Sequence, residues 1–483
     1  MNLKNVASIL GLLMVLNGGF MLLGLPFSWY FNESLMPLLV SGLGTSALGL
    51  FVWQFFRRQS KKRELTKKDG YLVVTFGWLT MSFFGMFPFL LSGAMESLTD
   101  AFFETISGFT TTGATILTDI ESVPKGILFW RSLTQWIGGM GIIVLTVALL
   151  PMIGVGGMQL FVAEAPGISP DKLKPRIKDT AKRLWILYLG LTLAETALLK
   201  LGGMSFFDAI NHGLTTMATG GFSTKNASIA HYDSPFIHYI IIVFMFMAGV
   251  NFSLTYFGLK RVFSKVLVNE EFKAYVAFTV LFTLITAIGI LVWTDSPVEQ
   301  SFRDALFQVI SVITTTGYIT ADYTSWAPLL TVFFFFFMFL GGSAGSTTGG
   351  VKIVRHVVMI KNSFLEMKRL LHPNSVIPVR LNGKAVTQKV TYHVLAFIII
   401  YLSVFVFGAI AVSLTGVDFL TTIGAVATSV GNIGPGLGSV GPVDNFAHLP
   451  WLTKWMLGFL MLLGRLELFT VIIIFTPYFW KKV

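Results

Sequence analysis

The chain contains no cysteine, and only 12% of its 483 residues are charged. The absence of cysteine excludes disulfide bonds, thiolate chemistry and cysteine-ligated metals. Soluble domains have about a quarter of their residues charged, so this composition argues against a soluble globular protein. The hydrophobic fraction is 54%, and several stretches hold about 20 mainly apolar residues, the length that crosses the hydrocarbon core of a bilayer. The composition therefore predicts an integral membrane protein.

The positive charge is concentrated in a few segments. The formal net charge is +11, and 27 of the 35 Lys and Arg residues fall in five places. Because Lys and Arg are enriched in the cytoplasmic loops of membrane proteins, we expect these segments, and both chain termini, on the cytoplasmic side. The basic balance then indicates topology and not nucleic-acid binding, with anionic lipid or an acidic cytosolic partner as secondary possibilities. The segments are 57–68, 170–183, 260–273, 352–389 and the last three residues.

A fourteen-residue pattern occurs four times along the chain. Each copy starts at an Asp, continues with mostly apolar residues and ends in a hydroxyl residue, one further residue and a Gly. The apolar part predicts a short helix that enters the membrane without crossing it. The Asp suits the N-cap of that helix, and the partial negative charge at its C-terminal end favours a nearby cation. The copies are DAFFETISGFTTTG from Asp100, DAINHGLTTMATGG from Asp208, DALFQVISVITTTG from Asp304 and DFLTTIGAVATSVG from Asp418.

Four such ends are what a ring of ion-coordinating loops would need. Glycine lets backbone carbonyls turn toward an axis and lets loops approach closely, and rings of carbonyls replace the hydration shell of K⁺ in potassium filters. Non-helical backbone at membrane depth is tolerated only where it lines a wet cavity or is buried in protein. The alternative is that the small residues only allow tight helix packing. The predicted filter residues are Thr111, Thr112, Gly113, Thr219, Gly220, Gly221, Thr315, Thr316, Gly317, Ser429, Val430, Gly431 and Asn432.

Apolar segments before and after every copy predict ten spanning helices in an all-α fold. Two helices lead, and four helix–pore-loop–helix repeats follow around one pore, with every copy of the pattern on the outer side. The predicted spans are 6–30, 35–56, 71–93, 133–151, 184–201, 236–259, 274–293, 327–350, 391–414 and 451–479. The predicted divisions are the leading pair at 1–68 and the four repeats at 69–183, 184–273, 274–390 and 391–483.

The second helix of the third repeat contains the run GGSAGSTTGG at 341–350. Each glycine lowers helix propensity by nearly 1 kcal/mol relative to alanine. We hypothesise a broken helix that forms a mobile constriction below the filter, with a glycine-rich packing face as the alternative. The gating residues of this run are Gly341, Gly342, Ser343, Ala344, Gly345, Ser346, Thr347, Thr348, Gly349 and Gly350.

The second helix of the fourth repeat contains Arg465 among apolar residues. An intramembrane Arg costs roughly 3 kcal/mol on insertion scales and usually faces an aqueous or protein interior. Arg465 could project into the pore as an electrostatic barrier, or it could pair structurally with Glu467 or another carboxylate.

Catalysis finds no support in the sequence, so an enzyme is not predicted. No nucleophile elbow, P-loop or dinucleotide motif stands in a soluble segment, and no group of His, Asp and Glu has metal-ligand spacing. The rival to a pore is an ion-coupled secondary transporter of Na⁺ or a small solute. Such transporters often use inverted repeats, whereas all four copies here have one orientation.

The repeats, the GGSAGSTTGG run and the sequence GRLELFT together resemble the Trk/Ktr/HKT superfamily of potassium transporters. The resemblance extends over essentially the whole chain and includes TTTGAT, GGFST, TTTGY, GNIGPGLG and TPYFW. It maps the intramembrane loop of the family onto 341–350 and its pore-facing arginine onto Arg465. In this superfamily a filter glycine goes with potassium preference and a serine in the first repeat with sodium, so Gly113 implies potassium.

The resemblance also implies the cellular setting. It implies potassium uptake across a bacterial inner membrane, one pore in each subunit of a homodimer, and contact with membrane lipids but not with nucleic acid. A cytosolic TrkA-type ring would control opening. No covalent cofactor is expected: K⁺ would be the transported ion, and nucleotides such as NAD and ATP would bind to the regulatory partner only.

Overall fold

The computed structural model describes residues 1–59, 66–141, 177–375 and 377–481. The described residues are mainly helical, with one short antiparallel ribbon that joins Arg380–Leu381 to Lys384–Ala385. Among them, six helices are long and apolar enough to cross a bilayer. The predicted basic segments 57–68 and 170–183, the predicted span 133–151 and the end of the chain lie partly outside the described residues.

Two leading helices pack closely against each other because glycines face the contact. A Cβ on Gly11 would lie 2.8 Å from the carbonyl oxygen of Gly49, and a Cβ on Gly42 would lie 2.9 Å from that of Gly18. Small residues allow this backbone approach in membranes, where van der Waals packing drives helix association. The helices of this leading unit are Leu3–Met21, the 3-10 turn Leu22–Gly24, Leu25–Tyr30 and Met36–Gln59.

Four repeats follow, and each has a long first helix, a short half-helix and a second helix. The predicted all-α fold with four helix–loop–helix repeats is confirmed. The first helices are Lys67–Gly85 (continued by Phe87–Leu91), Ile177–Leu201, Glu270–Trp293 and Gln388–Ser413. The half-helices, numbered 1 to 4, are Leu98–Phe109, Phe206–Met217, Val298–Ile313 and Phe419–Gly431.

The second helices differ from the continuous spans that hydropathy predicts. The second repeat bends by 116° between Pro235–Gly249 and Phe252–Leu259, and the fourth by 109° between Trp451–Arg465 and the turns at 469–475. Counting each bent pair as one span raises the number of spans in the described chain from six to eight. The other two second helices are Lys125–Trp136, extended by the π-turn Ile137–Gly141, and Pro328–Phe337, which ends before the glycine-rich run.

The remaining elements lie within, between or after the repeats. They are Phe263–Val268, Ile353–Leu371, the 3-10 turns Ser228–His231, Gly438–Val440 and Ile473–Phe475, and the short helices Phe469–Ile472 and Pro477–Trp480.

The fourth repeat closes onto the first. Lys454 Nζ forms an ion pair with Asp100 Oδ1 at 2.6 Å, and Trp455 Nε1 donates to Thr99 Oγ1 at 3.1 Å. The backbone N–H of Phe446 also donates to the Thr115 carbonyl at 2.8 Å. These contacts join the last second helix to half-helix 1, so the four repeats form a ring.

Candidate functional site

Each half-helix is followed by a non-helical segment, and the four segments meet at the centre of the ring. We call them central loops 1 to 4, at 110–114, 218–222, 314–318 and 431–435, the last of which begins at the final residue of half-helix 4. In each loop the N–H at one position donates to the carbonyl five residues earlier, at 2.8 to 3.0 Å. We call the position of the donating N–H the second position of the loop. The residues at the second position are Thr112, Gly220, Thr316 and Ile433.

The residues on either side of the second position have left-handed backbone conformations in all four loops. The first position has a φ of 52° to 54° although it holds no glycine, and the third position holds glycine with a φ of 76° to 105°. The same unusual backbone therefore occurs four times, as the sequence repeat predicts. First positions are Thr111, Thr219, Thr315 and Asn432, and third positions are Gly113, Gly221, Gly317 and Gly434.

The predicted register of the fourth copy is wrong by three residues. Ser429, Val430 and Gly431 belong to half-helix 4, and the loop glycine is Gly434. The cause is the role of the aspartate. Asp418 is itself the N-cap of its half-helix, whereas in the second repeat Ser205 is the N-cap and Asp208 is the third helical residue. Aligning the copies on Asp without a gap therefore shifts the fourth loop by those three positions.

The prediction of an aspartate N-cap is thus correct only for Asp418. The N-cap of half-helix 1 is Ser97, and Asp100 lies in its first turn. Half-helix 3 begins earlier, after Pro297, so Asp304 lies inside it.

The third-position glycines bring neighbouring loops into backbone contact. A Cβ at any of these glycines would meet the second-position carbonyl oxygen of the next loop. Side chains cannot occupy that space, so glycine is required there and the loops form a closed ring in chain order. The pairs are Gly113 with Gly220, Gly221 with Thr316, Gly317 with Ile433, and Gly434 with Thr112.

The first-position side chains differ among the loops. The buried Thr111 Oγ1 makes no hydrogen bond within the described part of the chain. Thr315 Oγ1 accepts from the N–H of Gly349 at 2.7 Å, and Asn432 Nδ2 donates to Thr112 Oγ1 at 2.9 Å. The ring is fourfold in its backbone but not in its side chains.

The glycine-rich loop, residues 341–350, interrupts the helical path of the third repeat between Pro328–Phe337 and Ile353–Leu371. The predicted helix break is present. Besides its contact with Thr315, the loop reaches half-helix 2, where Thr347 Oγ1 donates to the Met217 carbonyl at 3.1 Å. It therefore lies directly against the C-terminal ends of half-helices and the first positions of the central loops.

Two polar side chains bind the glycine-rich loop at Ala344. Asn251, at the bend of the second repeat, donates from Nδ2 to the Ala344 carbonyl at 2.7 Å. The N–H of Ala344 donates to Glu271 Oε1 at 2.6 Å. These bonds could not be predicted from the sequence, because Asn251 and Glu271 are far from residues 341–350 in the chain.

Arg465 joins the glycine-rich loop to the first repeat. Its Nη1 donates to the Thr347 carbonyl at 2.7 Å, and its Nη2 donates to the carbonyls of Gly138 and Gly139 at 2.6 and 2.7 Å. Glu467, considered above as a partner for Arg465, forms an ion pair with Arg355. Arg465 thus places a positive charge beside the glycine-rich loop.

The bend after Arg465 contains a strained turn. Glu467 has a φ of 55°, and Leu468 has a φ of 52° with a ψ of −63°. The second pair of angles is close to the γ-turn with positive φ, which is rare and strained. The contacts of Arg465 and Glu467 hold the chain in this conformation.

A buried ion pair that sequence reasoning missed lies behind the central loops. Arg131 Nε bonds to Glu104 Oε1 at 2.7 Å, and both side chains are almost completely buried. Glu104 Oε2 also accepts from the N–H of Ile116 at 2.9 Å. Arg131 Nη1 donates to the Ser223 carbonyl at 2.9 Å. One pair therefore fixes the chain just beyond loops 1 and 2. Glu104 in the first copy is the available signal, since a charge in an apolar half-helix requires a partner.

Loop 3 and half-helix 2 are joined by Tyr318, the last residue of loop 3. Its hydroxyl contacts Thr215 Oγ1 and Thr216 Oγ1 and donates to the His212 carbonyl at 3.2 Å. All of these groups are buried. The tyrosine ties the end of loop 3 to half-helix 2.

Comparison with known proteins gives a consistent result. The sequence model of a family described as "TrkH: Cation transport protein" matches residues 50–482. The chain is 40% identical to the Trk system potassium uptake protein TrkH of Escherichia coli K12, over all of both chains. It is 34% identical to the Trk system potassium uptake protein TrkG of the same organism, over 94% of this chain and 96% of that one. The crystal structure of the potassium transporter TrkH from Vibrio parahaemolyticus superimposes with a TM-score of 0.89 at 38% identity, over all of both chains.

Proposed function

The chain belongs to the TrkH family of cation transport proteins, and we propose that it takes up K⁺ across a bacterial inner membrane as the membrane subunit of a Trk-type system. The closed ring of four glycine-containing loops carries this proposal, because it is the arrangement that can surround one ion. The relatives bear names of potassium uptake proteins and similarity extends over the full chain, which supports the same function.

The central loops are proposed to bind the ion. Carbonyl oxygens of four loops that converge on one axis can replace the hydration shell of K⁺, and the half-helix C-termini add partial negative charge. The buried hydroxyl of Thr111, which has no protein partner among the described residues, is a further candidate ligand. The proposed filter residues are Thr111, Thr112, Gly113, Thr219, Gly220, Gly221, Thr315, Thr316, Gly317, Asn432, Ile433 and Gly434.

We further propose that the glycine-rich loop and Arg465 form the gate. The loop is bonded to the first position of central loop 3, and Arg465 is bonded to the loop. A cation leaving the ring toward this side would meet the backbone of 341–350 and then a positive charge. Movement of the loop together with Arg465 would open this path.

The proposed assembly follows the relatives' membership of a Trk system. We propose a homodimer in contact with membrane lipids, with both termini cytoplasmic and a TrkA-type ring beneath it. Nucleotides would bind to that ring and not to this chain. Basic residues of helix Ile353–Leu371, such as Lys368 and Arg369 in its last turn, are suited to an acidic cytosolic partner.

Flux into proteoliposomes tests the proposed function. With an inside-negative membrane potential and no pH gradient, we expect the proteoliposomes to take up ⁸⁶Rb⁺. An excess of unlabelled K⁺ should suppress this uptake, and an excess of Na⁺ should not. Imposing the pH gradient and a Na⁺ gradient separately distinguishes a pore from an ion-coupled secondary transporter, because only H⁺-coupled or Na⁺-coupled transport would be driven by the corresponding gradient alone. Absence of cation uptake under all of these gradients would refute the proposal.

Gly113→Ser tests the filter itself. Gly113 has a φ of 83°, and a Cβ there would meet the Gly220 carbonyl, so serine must displace loop 1 or loop 2. We expect discrimination between K⁺ and Na⁺ to fall on the order of tenfold, the effect of about 1.4 kcal/mol. An unchanged ratio of ⁸⁶Rb⁺ to ²²Na⁺ uptake would remove Gly113 from the filter.

A further inference from the structure

We propose that Gln135, in the second helix of the first repeat, is a positioning residue that holds central loop 2 in its ion-binding conformation. The inference rests on the proposed function, since it assigns a role in selecting the ion. Gln135 touches the loop behind the ion path and would act through the loop backbone.

The side-chain amide of Gln135 forms two hydrogen bonds with loop 2. Its Nε2 donates to the Gly220 carbonyl at 2.6 Å, and its Oε1 accepts from the N–H of Phe222 at 3.0 Å. The orientation of the amide is fixed by chemistry, because a carbonyl can only accept and a backbone N–H can only donate. The amide therefore binds the residues on both sides of Gly221, the third-position glycine.

The fit between Gln135 and loop 2 leaves no free space. Gln135 is completely buried, and a Cβ on Gly220 would overlap its amide group. The same amide lies 3.8 Å from where a Cβ on Gly113 would be. Gln135 thus lies at the junction of loops 1 and 2, and it explains why loop 2 has glycine at the second position.

Loop 2 needs this support because, like loop 4, it lacks a bond that loops 1 and 3 have, and it alone has glycine at the second position. In loop 1 the hydroxyls of Thr110 and Thr112 are 2.8 Å apart, and in loop 3 those of Thr314 and Thr316 are also 2.8 Å apart. The corresponding residues of loop 2 are Ala218 and Gly220, which have no hydroxyl. Two small residues leave the loop backbone freer, and the Gln135 amide supplies the missing constraint from outside the loop.

The other repeats have methionine where the first has Gln135. Each of these residues precedes a glycine-containing turn by the same spacing, in QWIGG, MFMAG, MFLGG and MLLGR. All three methionines, Met245, Met338 and Met461, are completely buried. One amide among three apolar side chains of similar length indicates a task that is specific to the first repeat.

Arg131 reinforces the contact from one turn earlier on the same helix face, the spacing at which helical side chains are neighbours. Its guanidinium lies 3.6 Å from the ring centre of Phe222 and bonds to the Ser223 carbonyl. The second helix of the first repeat therefore contacts Gly220, Phe222 and Ser223 in succession, through the side chains of Gln135 and Arg131.

Gln135→Met provides the direct test, because the chain itself uses methionine at this position three times. Purified variants are reconstituted, and ⁸⁶Rb⁺ and ²²Na⁺ uptake are measured in the same liposomes. We expect the Rb⁺/Na⁺ ratio to fall about tenfold, since a buried carbonyl and N–H lose their partner. A lower amount of folded protein would reduce both fluxes and leave their ratio unchanged.

Rescue distinguishes positioning from general packing. Adding Ala218→Thr and Gly220→Thr to Gln135→Ala, which vacates the space of the amide, installs the hydroxyl pair of loops 1 and 3 there. We expect this triple variant to recover most of the lost ratio, and failure to recover would assign Gln135 to packing. Ser132→Ala is the matched control and should keep the wild-type ratio, because among the described residues buried Ser132 bonds only within its own helix, to the Leu128 carbonyl.

The outcomes separate this inference from the proposed function. If the wild type shows no cation uptake, the proposed function fails. If the wild type selects Rb⁺ and Gln135→Met does so equally well, only the role of Gln135 is overturned. Should Gln135→Met fail to yield folded protein, Gln135→Asn retains the amide but is too short to reach both groups, and a wild-type ratio in that variant would overturn the inference equally.

Discussion

The central loops and the glycine-rich loop are both rich in small residues, yet they are held in different ways. The central loops are fixed by backbone: each begins at a helix C-terminus, repeats one N–H to carbonyl bond and contacts the next loop at a glycine. The glycine-rich loop is held by single side chains from separate elements, namely Asn251, Glu271, Thr315 and Arg465.

The central loops are therefore expected to be more rigid than the glycine-rich loop. Removing one side chain leaves most contacts of a central loop in place, because the main chain makes them. The glycine-rich loop can be released one bond at a time, each contributing about 0.5–1.5 kcal/mol net. The first arrangement suits a filter and the second suits a gate.

The largest effect is expected where the ring itself is broken. Gly221→Ala forces alanine into a left-handed backbone with a φ of 76° and sets a Cβ against the Thr316 carbonyl. The conformation alone costs about 1–3 kcal/mol, and the overlap adds to it. We expect a lower Tm in detergent and loss of Rb⁺/Na⁺ discrimination.

Gly190→Ala is the control for that substitution. A Cβ at Gly190, in a first helix, has no neighbour within 4 Å, so alanine should leave Tm and discrimination intact or stabilise the helix slightly. Equal behaviour of the two variants would show that the ring tolerates side chains and that backbone contact does not define it.

Arg465→Ala should have the next largest effect, on the proposed gate and not on the proposed filter. It removes a positive charge and three hydrogen bonds, so Rb⁺ flux should rise about tenfold or more while the Rb⁺/Na⁺ ratio stays constant. Arg465→Gln keeps a donor for the carbonyls without the charge. Raised flux in both variants identifies a charge barrier, whereas raised flux in Ala alone identifies a tether, and unchanged flux in both removes Arg465 from the gate.

Asn251→Ala should have a smaller effect in the same direction. It removes the bond to Ala344, about 1 kcal/mol, so flux is expected to rise severalfold. Asn251 also caps a helix, accepting from Ser253. Asn2→Ala separates these roles, because Asn2 caps the leading helix Leu3–Met21 by accepting from the N–H of Asn5 at 3.3 Å and does not contact the glycine-rich loop. If both variants change flux equally, capping and not loop attachment is responsible.

The smallest effect concerns the N-cap of half-helix 4. Asp418 accepts from the N–H of Thr421 at 3.0 Å, and bonds to Thr421 lower the pKa of its carboxyl. Asp418→Ala should cost about 1 kcal/mol, and Asp418→Asn much less. Since the folded pKa lies below the unfolded value near 4, the contribution is complete above pH 4 and declines as pH falls through the folded value. Tm measured for both variants at neutral pH checks the cap.

The sequence predicted the repeats, the helix break at 341–350 and three of the four loop glycines. These features depend on local composition, which a single chain displays directly. The fourth loop was placed three residues early because Asp418 and Asp208 look alike in sequence while one is the cap and the other follows it. Backbone hydrogen bonding decides between those roles, and it is not visible in residue types.

Contacts between repeats could not be predicted for a different reason. Gln135 belongs to the first repeat but bonds to Gly220 of the second, and Asn251 of the second bonds to Ala344 of the third. Each is a single polar residue in an apolar helix, with no partner nearby in the chain. Their importance follows only from the arrangement of the repeats around the ring.

The ring also has a consequence for spectroscopy. In a pore made of four identical subunits, any isotope label in the filter is present four times and reports an average. Here the second-position carbonyls belong to Thr112, Gly220, Thr316 and Ile433 of one chain, so each can be labelled alone. Vibrational frequencies of the four carbonyls could then be assigned one by one, which would show how unequally the four sides of the proposed filter respond to added K⁺.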